Sequence, residues 1–78
     1  MTLKIISTTE VVYEGEVTMV SLPGAMGRFT VLRNHASLIS TLTPGAIAYR
    51  GADGVENSFD VKGGIADIDN NIVSVCVY

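Results

Sequence analysis

The histidine at position 35 is the only one in the chain, and it is the first residue to test for chemistry. An imidazole can act as a general base or bind a metal ion. Ser37 and Ser40 follow closely, but no G-x-S-x-G turn frames either serine as a nucleophile. We therefore interpret His35 as a histidine in a loop or at a contact surface, with catalysis as the weakest alternative.

The segment from Pro23 to Gly27 is rich in glycine and is the second candidate. A phosphate-binding loop would continue with Lys-Ser/Thr, or would open a helix after G-x-G-x-x-G. Arg28, Phe29 and Thr30 follow instead and predict a strand. The segment is therefore interpreted as an exposed contact loop that ends in Met26 and Arg28.

The carboxylates show no spacing that predicts a catalytic pair or a metal site. Glu14 and Glu16 flank Gly15 near an expected strand corner and are interpreted as a solvated pair. No calcium-loop spacing links the acids expected in turns, which are Asp53, Asp67 and Asp69.

Cys76 is the only cysteine, which excludes an internal disulfide and any multi-cysteine metal site. Because it lies in an apolar terminal segment, we expect a buried and unreactive thiol. Without a nucleophile–base pair, a metal cluster or an anion cradle, the residues favour a binding or structural module over an enzyme.

Composition predicts one all-β domain spanning residues 1–78. Val, Ile and Thr together make up 24 of the 78 residues, and no segment has the apolar spacing of a surface helix. The net charge of −3 argues against nucleic-acid binding. No apolar run approaches the roughly 20 residues of a membrane-spanning helix, so direct membrane insertion is not expected. We predict a sandwich or flattened barrel of nine or ten short strands.

Glycine and proline mark the expected turns. Gly15 predicts a corner or bulge, and Pro23-Gly24 is expected to end a strand. Asp53-Gly54 predicts a hairpin with a primed turn. Val73, Val75 and Val77 are expected on one face of the last strand. Core positions, with an interface as the alternative, are predicted for Val20, Leu42 and Ile47.

Four blocks of sequence resemble, in order, the epsilon subunit of rotary (F-type) ATP synthases. The resemblance covers essentially the whole chain. It is carried by Tyr13-Glu14-Gly15-Glu16-Val17, by Leu22 to Leu32 followed by His35 to Ser40, by Pro44-Gly45-Ala46-Ile47, and by Gly63-Gly64-Ile65-Ala66-Asp67-Ile68 with Asn71-Ile72-Val73-Ser74-Val75.

The resemblance implies an amino-terminal sandwich of two roughly five-stranded sheets in the central stalk of the rotor. It implies a non-catalytic subunit without cofactor or obligate homo-oligomer, peripheral at the cytoplasmic face of the inner membrane. Its partners would be the gamma subunit and the loops of the c-ring, and it would couple ion-driven rotation to ATP synthesis. The residues expected to face the c-ring are Met26, Gly27, Arg28, His35 and Ala36.

The chain departs from the family pattern at several positions. Arg28 replaces a residue that is often acidic, which at a c-ring contact would require a compensating charge in the partner. Arg33-Asn34 and Ser37 replace prolines and a glycine around His35. The sequence stops at Tyr78, where many members continue into a helical hairpin, so hairpin-based inhibition is not expected if the chain is naturally this short. The alternative function is a stand-alone β-barrel with an enclosed cavity for a small ligand.

Overall fold

The computed structural model describes residues 1–78 as eight β-strands. It contains no helix long and apolar enough to cross a membrane. The strands are β1 (Thr2–Ile6), β2 (Val11–Gly24), β3 (Gly27–Leu32), β4 (Leu38–Leu42), β5 (Gly45–Gly51), β6 (Glu56–Val61), β7 (Gly64–Asp69) and β8 (Ile72–Val77).

Hydrogen bonding joins all eight strands, and the long strand β2 belongs to two layers. Residues 11–16 of β2 pair with β1. From there the strands of this layer follow one another in the order β1-β8-β7-β4. Residues 17–24 pair with β3 along one edge and with β5, then β6, along the other. We call these layers the five-stranded sheet and the four-stranded sheet. The all-β sandwich is thus confirmed, with five and four strands in its layers.

Alternating side chains fill the space between the layers. In β8, Val73, Val75 and Val77 are buried on one face, as predicted, because successive residues of a strand point to opposite sides. Val20, Leu42 and Ile47 are core residues, at 0%, 5% and 0% exposure. The other buried hydrophobic residues are Met1, Leu3, Ile5, Val17, Leu22, Val31, Val61, Ala66 and Ile68. No polar or charged residue is buried.

The prediction of nine or ten strands was too high, chiefly because β2 continues through the break expected at Gly15. Gly15 pairs regularly with Leu3, and the pairing shifts register at Val12 and Thr18 instead. A Cβ on Gly15 would lie 2.7 Å from the Tyr13 hydroxyl oxygen, so Gly15 makes room for that side chain rather than for a bend.

Pro23 and Gly24 are also part of β2 and do not end it early. Pro23 pairs with Arg28 in the hairpin, and its carbonyl accepts a hydrogen bond from the backbone N–H of Thr43 at 2.8 Å. The turn itself consists of Ala25 and Met26.

The Asp53-Gly54 hairpin is present, but its turn is not of the primed type. The N–H of Gly54 donates to the carbonyl of Gly51 at 3.0 Å, and Gly54 alone in this turn has a positive φ, of 84°. The loop is therefore a longer one with a left-handed glycine after the turn. Positive φ at both central residues, which a type I′ turn requires, occurs at Asn70 and Asn71 (52° and 62°).

Candidate interaction site

The tip of the β2–β3 hairpin is one of the most exposed parts of the molecule. Its two turn residues are Ala25 and Met26, and the Met26 side chain is fully exposed. The N–H of Ala25 donates to the carbonyl of Thr41 at 2.9 Å, so the tip is tied to β4. A flexible, polarisable thioether on a fixed turn suits contact with an irregular apolar surface.

An open groove of about 440 Å³ lies between this hairpin and β4. Its apolar walls are Ala25, Met26, Phe29, Leu38 and Ile39, and Leu38 and Ile39 are 39% and 71% exposed. The polar side chains that line it are Arg28, Ser40 and Thr41. The groove can receive aliphatic side chains and has no pair of groups able to exchange a proton.

The charge of Arg28 is held on the side of the hairpin. Its Nε donates to the Oγ of Ser21 at 3.0 Å, and its Nη2 donates to the carbonyl of Ala46. The guanidinium thus reaches across β2 to β5 in the four-stranded sheet. A positive charge tied to two acceptors in its own sheet is less available to a partner at the tip.

His35 lies in a separate loop at the far end of β3. Its backbone N–H donates to the carbonyl of Leu32 at 3.2 Å, and its Nδ1 is 2.7 Å from the carbonyl oxygen of Ala36. Asn34 and Asn71 exchange two hydrogen bonds, at 2.6 and 3.1 Å, which fasten this loop to the β7–β8 turn.

Ser37 does not serve His35 as a nucleophile would. Its hydroxyl donates to the Oδ1 of Asp69 at 2.6 Å. The group that Ser37 engages is therefore a carboxylate in the β7–β8 hairpin, and the arrangement joins two loops. Ser40 donates to the carbonyl of Thr41 at 3.0 Å, within its own strand.

The five residues expected to face the c-ring do not form one cluster. Met26, Gly27 and Arg28 lie where β3 begins, whereas His35 and Ala36 follow its end at Leu32. Six residues of extended strand span roughly 17 Å. One whole strand therefore separates the two groups along the sandwich, and the contact of either group with the c-ring stays a prediction.

Cys76 is exposed, and the expectation of a buried thiol is wrong. The reason is the alternation that buries Val75 and Val77, which turns the residue between them to the outside. The alternation of valines at 73, 75 and 77 is visible in the sequence and is sufficient to predict that this thiol lies on the outer face of the sheet.

The pKa values of Glu16 and Tyr49 are shifted. The Thr2 hydroxyl donates to the Glu16 carboxylate at 2.7 Å, and this bond, together with the Met1 amino group at 3.4 Å, lowers the pKa of Glu16. Burial raises the pKa of Tyr49, whose ring centre lies 4.5 Å from that of Tyr13. Neither group lines the groove beside Met26.

Solved structures share this fold. A chain of the Euglena gracilis mitochondrial ATP synthase OSCP/F1/c-ring structure superposes with a TM-score of 0.89 at 21% identity, covering 96% of this chain and 48% of that one. A chain of the Tetrahymena thermophila mitochondrial ATP synthase central stalk/c-ring structure gives 0.83 at 13% identity, covering 99% and 62%.

Curated relatives are closer in sequence. The ATP synthase epsilon chain of Bordetella petrii is 37% identical over 71 residues, which is 91% of this chain and 50% of the relative. That of Campylobacter jejuni subsp. doylei is 38% identical over 77 residues, which is 99% and 58%. This chain thus spans about half the length of the curated relatives it matches. Their names confirm the resemblance to the ATP synthase epsilon chain.

A family model described as the β-sandwich domain of the ATP synthase delta/epsilon chain matches residues 1–78. The match covers all eight strands, both loops that flank β3, and the groove beside Met26. The chain therefore belongs to the family of ATP synthase delta/epsilon-chain β-sandwich domains.

Proposed function

We propose that the chain is a non-catalytic subunit of the central stalk in a rotary ATP synthase. In this role it binds the gamma subunit and rests on the loops of the c-ring, and so helps couple ion-driven rotation to ATP synthesis. The observation that carries the proposal is the family match over residues 1–78, together with relatives named epsilon chains at 37–38% identity. The subunit would be peripheral, at the cytoplasmic face of the inner membrane.

The geometry supports a contact role over a ligand-binding barrel. The interior is filled by hydrophobic side chains, and no polar residue is buried there to orient a ligand. The depressions of the molecule are surface grooves, the largest beside Met26. A small ligand bound in such a groove would be contacted on one side and open to solvent on the other. A protein surface, in contrast, can cover the groove.

We assign the c-ring contact to Met26, Gly27 and Arg28 at the hairpin tip. The exposed thioether and the apolar groove beside it suit a partner loop. His35 and Ala36 remain candidates for a separate contact, since their loop lies beyond the other end of β3. The Arg28 side chain then acts chiefly by holding β3 against β2 and β5.

Titration of this chain with the gamma subunit of the same organism tests the proposal. Calorimetry should show tight one-to-one binding, and gamma should raise the melting temperature of the chain, because a partner that binds only the folded state stabilises it. A folded gamma subunit that neither binds nor stabilises the chain would refute the assignment.

A further inference from the structure

The side chain of Arg28 fills a gap in the hydrogen bonding between β2 and β5. The ladder between these strands pairs Ser21 with Ala48, and continuing this register places Pro23 opposite Ala46. Proline has no N–H, so β2 offers no ladder donor to the carbonyl of Ala46. The Nη2 of Arg28 donates to that carbonyl instead, while its Nε donates to the Ser21 hydroxyl. Arg28 therefore supplies the donor that Pro23 lacks.

This bonding draws the guanidinium away from the groove beside Met26. The strand β3 has β2 as its hydrogen-bonded neighbour, and Ala46 belongs to β5 on the other side of β2. Neighbouring strands lie about 4.8 Å apart, so the bonded guanidinium is displaced from β3 by about 5–10 Å toward β2 and β5. The groove lies at the opposite edge of β3, between the hairpin and β4, and Arg28 is the one charged residue among those that line it.

The groove thus offers a partner an apolar surface without a charge directed into it. Phe29 and Leu38 line it from β3 and β4, and Met26 lines it from the hairpin tip. Leu38 is 39% exposed and Met26 is fully exposed, so a partner that covers them removes apolar surface from water. A charged side chain in the groove would lose hydration without gaining an ion-pair partner. The groove therefore favours an aliphatic side chain.

We propose that the c-ring loop that meets the hairpin tip inserts an uncharged aliphatic side chain into this groove, and that Arg28 is a positioning residue without a charge contact to the ring. A carboxylate in the groove would lie on the other side of β3 from the bonded guanidinium. The c-ring then needs no compensating charge opposite Arg28. This inference rests on the proposed function and adds the chemistry of the c-ring loop and the role of Arg28.

Binding of the complex between this chain and gamma to detergent-solubilised c-rings of the same organism tests the contact. Leu38→Ser should weaken binding by about tenfold, because it removes part of the apolar surface that the ring covers. Met26→Ser should weaken binding as well, at a fully exposed position where the fold is not disturbed. The matched control is Leu32→Ser, which should leave affinity unchanged, since Leu32 is 57% exposed at the other end of β3 and lies outside the groove. Arg28→Gln should leave the dependence of affinity on salt unchanged.

A double-mutant cycle tests the role of Arg28 within its sheet. Arg28→Ala should lower the melting temperature of the chain, because the carbonyl of Ala46 loses its donor. In the Pro23→Ala background a backbone N–H is available at position 23, so the same substitution should lower the melting temperature by at most half as much. A side chain that acted by packing alone would give equal losses in the two backgrounds.

The outcomes separate this inference from the proposed function. If the unmodified complex does not bind c-rings, the proposed function fails and this inference fails with it. If the complex binds while Leu38→Ser and Met26→Ser bind normally, the groove is not the contact and the inference alone is wrong. If the salt dependence of binding is lost in Arg28→Gln, the ring contacts the Arg28 charge, and the inference is again wrong. Equal losses in the double-mutant cycle would show that Arg28 does not replace the donor missing at Pro23.

Discussion

Substitution of Gly64 by alanine should be among the most damaging single changes in this domain. Gly64 begins β7, pairs with Val77 on one side and Leu42 on the other, and has a φ of 154°. A Cβ at this position would lie 2.1 Å from the carbonyl oxygen of Cys76 and 3.1 Å from the Cα of Val77. Both neighbours are backbone atoms, so no change of rotamer relieves the overlap.

The size of the effect follows from two contributions. A non-glycine residue held in this region of φ costs about 1–3 kcal/mol. Relief of the overlap must move β7 away from β8, and each ladder hydrogen bond lost costs about 1 kcal/mol. With two such bonds the free energy of unfolding should fall by about 3–5 kcal/mol. That is a large share of the total for a small domain, at the lower end of about 5–15 kcal/mol.

Gly54→Ala is the matched control for Gly64→Ala. Gly54 also has a positive φ, 84°, but a Cβ there would meet no atom within 4 Å. Only the left-handed backbone penalty of about 1–2 kcal/mol remains. Urea unfolding followed by circular dichroism should give a modest loss for Gly54→Ala, and a variant near or past the limit of folding for Gly64→Ala. Equal losses for the two variants would refute the overlap argument.

Three further changes have defined outcomes. Asn71→Ala should lower the free energy of unfolding by about 2–4 kcal/mol in urea, since it breaks two hydrogen bonds with Asn34 and puts alanine at a φ of 62°. Glu16→Gln should weaken the acid dependence of stability: the pKa of Glu16 is lower in the folded state than its ordinary 4.5, so its stabilisation is present above that pH and is lost as pH falls below it. Met26→Asp should leave the melting temperature unchanged, because the side chain is fully exposed, yet reduce ATP-driven proton pumping in reconstituted membranes. Ala36→Asp, beyond the other end of β3, should leave pumping higher than Met26→Asp does.

A specific result would contradict each of these predictions. Asn70→Gly keeps both the positive φ of the turn and the bonds between Asn71 and Asn34, and a loss as large as that of Asn71→Ala would remove the role of those bonds. Glu14→Gln should still lose stability as the pH falls. If the dependence of the free energy of unfolding on pH is unchanged in Glu16→Gln, the Glu16 contacts do not matter for stability. Pumping unaffected by Met26→Asp would remove the hairpin tip from the c-ring contact.

Local pattern in the sequence accounted for the class of fold and much of the core. The inward position of Val73, Val75 and Val77 follows from alternation alone, which needs no knowledge of the partner strands. Val20, Leu42 and Ile47 were likewise recognisable as core residues. Four blocks of sequence, taken in order from Tyr13 to Val75, indicated the epsilon-subunit family, which the relatives then confirmed.

Tertiary structure decided where those residues lie relative to one another. From the sequence, Gly15 predicts an interruption between two strands. In the fold it lies against the Tyr13 side chain, and β2 continues through it into both layers. Met26 and His35 are nine positions apart in the sequence, yet a whole strand separates them.

The gathering of charge on one face also depends on the tertiary structure. Glu14 and Glu16 in β2 and Asp67 and Asp69 in β7 share that face only because β1 and β8 pair between those strands in one register. Alternation along a single strand tells which residues point the same way. It cannot tell which strands are neighbours, because that depends on long-range hydrogen bonding and on the packing of the two layers.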